Sequence, residues 1–73
     1  MEPTNKNELE GKLTAMSVGE RYTFARALLI QRVGIGEWFL WEPGSDGPLK
    51  NRTARGMAKR AIRIRNLGRD YGP

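Results

Sequence analysis

The sequence predicts an α+β domain, mainly helical, in which two or three short helices pack with one short aromatic strand or hairpin. Three observations carry that expectation. Apolar residues recur at a period near 3.6 over 8–16, 18–33 and 54–64, the spacing of a buried helix face. An Asn or Ser with Glu three positions later precedes each of the first two runs, as in a capping box. One short segment, EWFLWE at 37–42, is dense in aromatics and bounded by Gly and Pro, which suits a strand.

Taken in order, the residues up to Lys6 read as a flexible tail. Asn7 with Glu10 predicts a helix over about 8–16, with Leu9, Leu13 and Met16 on one face and Gly11 weakening its interior. Ser17 with Glu20 predicts the main core helix over 18–33. Val18, Tyr22, Ala25, Leu28, Leu29 and Val33 would share its face, and Gly34 would take the left-handed C-cap position. RYTFARALLI, at 21–30, also has the aromatic content of a strand. Gly34-Ile35-Gly36 is a break, and Glu37–Glu42 an extended segment. Pro43–Pro48 is a loop and a candidate hinge.

Asn51 or Thr53 can cap a final helix that Gly68 ends. At about 100° per residue, Ala54, Met57, Ala58, Ala61 and Ile64 fall in one arc, with Arg52, Arg55, Lys59, Arg60 and Arg63 opposite. Ile62 lies at the margin of that arc and Arg65 points into it. The alternation Ile62-Arg63-Ile64-Arg65 also suits an extended end, so the helix end is open. The chain makes one small domain over 1–73, with flexible tails at about 1–6 and 70–73.

The 73 residues contain no Cys and no His. Disulfides, thiol nucleophiles and imidazole bases are therefore not available, nor are zinc-finger ligand sets. A chain this short buries only about 60% of the surface its unfolded form exposes, so its core is thin. No export signal is read in MEPTNKNELE, and no apolar run is long enough to span a bilayer. A cytoplasmic location is expected. Gly34-Ile35-Gly36 lacks the third glycine of a dinucleotide fingerprint, because Phe39 stands there, and GSDGPLK lacks Walker spacing. No enzyme, cofactor or metal is expected.

Charge is unevenly spread. Residues 1–20 carry a net charge of −2 and residues 21–49 none, whereas residues 50–73 carry eight bases against Asp70. Like charges at i, i+3 and i+4 repel by roughly 0.2–0.5 kcal/mol per pair. The stripe Arg52, Arg55, Lys59, Arg63 is built of such pairs, and Arg52 stands near the positive end of the helix dipole. An anionic partner would relieve it. Gly56, on the same face, would let a phosphate approach the backbone. If 37–42 is a strand, Trp38 and Trp41 face opposite ways. Either one face joins the helix core and the loop shields the rest, or one indole stays exposed as an anchor, for a protein partner in preference to an unpaired base, since Trp and Arg are enriched among binding hot spots. The expected partner-binding residues are Trp38, Trp41, Arg52, Arg55, Lys59, Arg60 and Arg63.

In length, basicity and lack of Cys and His the chain resembles the small regulators with which bacteriophages seize host transcription. They bind bacterial RNA polymerase, block initiation and promote antitermination. EWFLWE and NRTARGMAKRAIRIR are the stretches that fit. The resemblance covers the format of the chain rather than aligned positions, so no family residue is carried over. It implies a small basic transcription regulator in the host bacterial cytoplasm, with RNA polymerase as a large protein partner. Two alternatives stand beside it: a direct DNA- or RNA-binding protein using the basic C-terminal helix, and a protein-only inhibitor of another host factor. A membrane partner is not expected, and the sequence sets no oligomeric state.

Overall fold

The computed structural model describes residues 2–67. Helix α1 (Lys6–Ala15) leads into four strands, β1 (Arg21–Phe24), β2 (Leu28–Gly34), β3 (Glu37–Trp41) and β4 (Leu49–Asn51), and helix α2 (Ala54–Leu67) follows. The strands form one antiparallel sheet in sequence order. The fold is thus α+β but not mainly helical, and the expectation of a single strand or hairpin is corrected to a four-stranded sheet.

The correction lies almost wholly in 18–33, which is a hairpin and not a helix. Tyr22 pairs with Ile30 and Phe24 with Leu28, and these four share the covered face of the sheet. Their alternation is the period-2 signal of a half-buried strand. A glycine-free turn conceals the break between the two strands. Ala25 and Arg26 both adopt positive φ, 53° and 70°, and the Ala27 amide donates to Phe24 O at 3.3 Å. Consecutive positive φ values characterise a type I′ hairpin turn, which usually draws Asn-Gly. Only half of the capping box at 17–20 forms: the Ser17 amide donates to Glu20 Oε1 at 2.9 Å, whereas the Glu20 amide donates to the Ser17 backbone O, also at 2.9 Å, and not to its hydroxyl. It closes a turn instead of opening a helix, because Gly19 sits at φ 92°, the third-position geometry of a type II turn.

Helix α1 begins two residues earlier than the Asn7 reading. Asn5 is the N-cap, its Oδ1 accepting from the Glu8 amide at 2.9 Å. Glu8 Oε1 accepts from both the amide and the hydroxyl of Thr4, each at 2.8 Å. Residues 2–5, expected as part of a tail, make further contacts. Glu2 Oε1 accepts from the Ala25 amide at 2.6 Å, and Thr4 O from Arg65 Nη1 at 3.1 Å. The expected tail at 70–73 and the Gly68 stop lie outside the described residues.

The 43–48 loop connects paired strands. Pro43 and Gly44, the latter at φ 76°, occupy the centre of a type II turn in which the Ser45 amide donates to Glu42 O at 3.2 Å. Because β3 and β4 are in register across it, from Leu40 with Leu49 to Trp38 with Asn51, the loop is a hairpin connection and not a hinge.

Both helices lie on the same face of the sheet. Leu9, Leu13 and Met16 meet Phe24, Leu28, Ile30, Trp38 and Leu40 from the sheet and Ala54, Met57, Ala58 and Ala61 from α2. The alanines let α2 approach closely, and no buried side-chain polar atom among the described residues lacks a partner. Arg32 locks the end of this core. Its guanidinium lies 4.8 Å from the Trp38 ring and donates to Thr14 O, Met16 O, Gly34 O and Ile35 O.

Candidate functional site

Helix α2 is set by local chemistry that the sequence displays. Thr53 caps it, its Oγ1 accepting from the Gly56 amide at 3.0 Å, and Asn51 Oδ1 accepts in turn from the Thr53 amide at 3.1 Å. The apolar arc turns inward as its period requires. Ala54, Met57, Ala58 and Ala61 are buried, and Ile62 and Ile64 pack at its edges. The helix runs to Leu67, so the alternation at 62–65 does not end it. Arg65, which falls within the arc, lies 5.7 Å from the Phe24 ring centroid and donates to Thr4 O.

The opposite side of α2 presents Arg55, Lys59, Arg60 and Arg63 to solvent, with Arg52 exposed just ahead of the helix. Arg55 has a carboxylate nearby, Glu10 Oε1 of α1, at 3.6 Å. Both side chains are substantially exposed, so the pair contributes little. Among the described residues no carboxylate lies within 4.0 Å of Arg52, Lys59, Arg60 or Arg63. Among the described residues the repulsion within the stripe is therefore left largely uncompensated.

Gly56 has a structural reason that the sequence reading missed. A Cβ there would stand 2.8 Å from Thr53 Oγ1 and would collide with the Asn51 side chain. Its bare backbone accommodates the cap network and is not an open cradle for a phosphate.

The two indoles separate as alternation requires. Trp38 is 4% exposed and its Nε1–H donates to Leu13 O at 3.2 Å, so it pins α1 to the sheet and does not face a partner. Trp41 lies half-buried on the sheet face that no helix among the described residues covers. There it meets Phe39 edge-on, with centroids 5.7 Å apart and planes at 62°. Across that face Arg21, Gln31, Phe39 and Lys50 form one register row, and Thr23, Leu29 and Trp41 the next. Lys50 Nζ sits 5.4 Å from the Phe39 centroid. Arg21, Phe39 and Lys50 were absent from the expected site because a helical reading of 18–33 and an unrecognised β4 hid the sheet that gathers them.

An open depression near the N-terminal segment is lined by Glu2, Pro3, Glu8, Lys12, Tyr22 and Thr23. Its groups are engaged internally: Glu2 and Glu8 accept the bonds described above, and Lys12 Nζ lies 5.0 Å from the Tyr22 centroid. Burial pushes the Tyr22 phenol above its ordinary value, and the charge of Glu2 adds to the rise. Among the described residues no group of three or more acidic ligand side chains could hold a metal ion, and no helix is long and apolar enough to cross a membrane.

The chain matches no family model, no curated protein and no solved structure.

Proposed function

We propose that this protein is a small regulator that acts by binding and carries out no chemistry, docking the basic face of α2 on an anionic surface of a bacterial transcription complex. One observation carries the docking claim: Lys59, Arg60 and Arg63 project from one side of a well-capped helix, with Arg52 exposed just ahead of it, and none of the four has a carboxylate within 4.0 Å among the described residues. A helix evolved for stability alone would place Glu among them at i+4. An anionic partner removes the repulsion and gains counterion release where that partner is nucleic acid. The choice of bacterial RNA polymerase, and with it the host cytoplasm, rests on the resemblance in chain format to phage regulators.

The test is retention of RNA polymerase from bacterial lysate by the immobilised protein, beside a duplex-DNA shift assay at two salt concentrations. The expected result is polymerase retention that K59E/R63E abolishes. Tight, salt-sensitive binding of duplex by the isolated protein, without polymerase retention, would replace this reading with direct DNA binding. Full retention by K59E/R63E would remove α2 from the account.

A further inference from the structure

The open sheet face is a second surface, on the side of the molecule away from the helix layer. The solvated face of an antiparallel sheet is ordinarily polar. Here its centre holds the half-buried Leu29, Phe39 and Trp41, and its two edge strands hold exposed cations, Arg21 on β1 and Lys50 on β4. These cations are in register with the aromatic between them: Arg21, Gln31, Phe39, Lys50 run in order across four strands. Neither Arg21 nor Lys50 has a carboxylate within 4.0 Å among the described residues.

We propose that this face is a stacking site for single-stranded nucleic acid, with bases on Phe39 and Trp41 and phosphates held by Arg21 and Lys50. Sequence-tolerant binding of single strands combines just these parts, a cationic track and aromatic platforms on which successive bases stack. Four-stranded sheets that present aromatics on their open face read splayed bases in the same way. The 62° angle between the two rings suits separate, splayed bases and not a continuous duplex stack. Lys50 Nζ, now over the Phe39 ring, moves outward to a phosphate when a base takes that ring face. The Gln31 side chain, between Arg21 and Phe39, donates one Nε2–H to Gly19 O at 3.5 Å and has its Oε1 and second N–H to offer a base edge.

Charge separates this occupant from its rivals. A second copy would lay the Arg21–Lys50 row against an identical cationic row, which like-charge repulsion opposes. Glu37, also on this face, stands at the far end of β3 from Trp41, and Glu42 is already engaged within the fold. Glu37 stands two residues from Phe39 and lines a shallow depression with Lys50, Asn51 and Arg52, yet no carboxylate among the described residues lies within 4.0 Å of either cation of the row.

The experiment titrates the full chain with a labelled oligouridylate of about 8 nucleotides, a length within the usual site size of such platforms. Anisotropy and tryptophan emission are both recorded. Because Trp38 is buried, the emission that responds to stacking is that of Trp41. The expected result is saturable binding with quenching, weakened about tenfold or more in F39L/W41L. Leucine keeps the apolar cover while removing the ring faces, and circular dichroism verifies that the variant is folded. K59E/R63E is expected to retain the quenching, which keeps the two surfaces distinguishable. If that variant leaves polymerase retention intact, the α2 reading fails while the sheet site stands. Unchanged affinity in F39L/W41L, or binding without any change in emission, overturns the sheet site. So does sedimentation showing a dimer that F39L/W41L converts to monomer, which would assign the face to a second copy.

Discussion

Removing the Arg32 guanidinium should cost more than any other surface-reaching substitution in this chain. Four carbonyls accept from it: Thr14 O at 3.1 Å, Met16 O at 2.6 Å, Gly34 O at 3.3 Å and Ile35 O at 3.2 Å. Two belong to the C-terminal end of α1, where carbonyls lack helical partners and a cation is favoured by the dipole. The other two belong to the β2–β3 turn. The bonds to Met16 O and Gly34 O are partly buried, and at about 1.5 kcal/mol for each charged hydrogen bond they supply about 3 kcal/mol. Stacking on Trp38 adds about 0.5–1 kcal/mol, and the two solvent-exposed bonds add little. Arg32→Ala is therefore expected to lose about 3.5–4 kcal/mol, or about 14–32 °C in melting temperature for a domain of this size. Arg32→Lys keeps the charge but not the planar fork and should lose about half as much. Urea unfolding followed by tryptophan emission measures both, with unchanged slope m confirming that the denatured state is the same. Arg32→Ala within 1 kcal/mol of the parent, or Arg32→Lys indistinguishable from it, would refute the view that this side chain clamps helix to hairpin.

Further outcomes follow from the turn, the cap and the first helix. A25N/R26G places the preferred residues at two positive-φ sites and should stabilise by about 1 kcal/mol; a lowered urea midpoint would show that the turn is not strained. Gly56→Ala gains helix propensity but drives a Cβ into the Asn51–Thr53 cap, so a net loss of about 1 kcal/mol is expected, and a stabilised variant would refute the steric argument. The bond from the Thr4 amide, followed by that from its hydroxyl, holds the Glu8 carboxyl below its ordinary value. The stability it contributes is full above the unfolded-state value and is lost as pH falls through the lowered folded-state value. An NMR titration of Glu8 should give a midpoint below that of an ordinary glutamate, and Thr4→Ala should move it back up.

Helix α2 was legible because its information is local. Fourteen residues at a steady 3.6 period, opened by Thr53, put Ala54, Met57, Ala58 and Ala61 inward and Arg55, Lys59, Arg60 and Arg63 outward whatever packs against them. The turn chemistry at 17–20 and 43–48 was legible for the same reason, although whether a helix followed the first turn was not. The residues 21–33 could satisfy two periods, and the deciding interactions are distant. Leu29 is held opposite Trp41, and Ile30 opposite Leu40. No glycine marked the turn at Ala25 and Arg26, since Glu2 and the pairing strands sustain positive φ there. Alternation along β3 was enough to set Trp38 and Trp41 on opposite faces. Which indole went into the core was decided only when both helices settled on one side of the sheet. The basic helix face was thus written in the sequence by itself, whereas the row Arg21, Gln31, Phe39, Lys50 exists only because four separate strands pair in register.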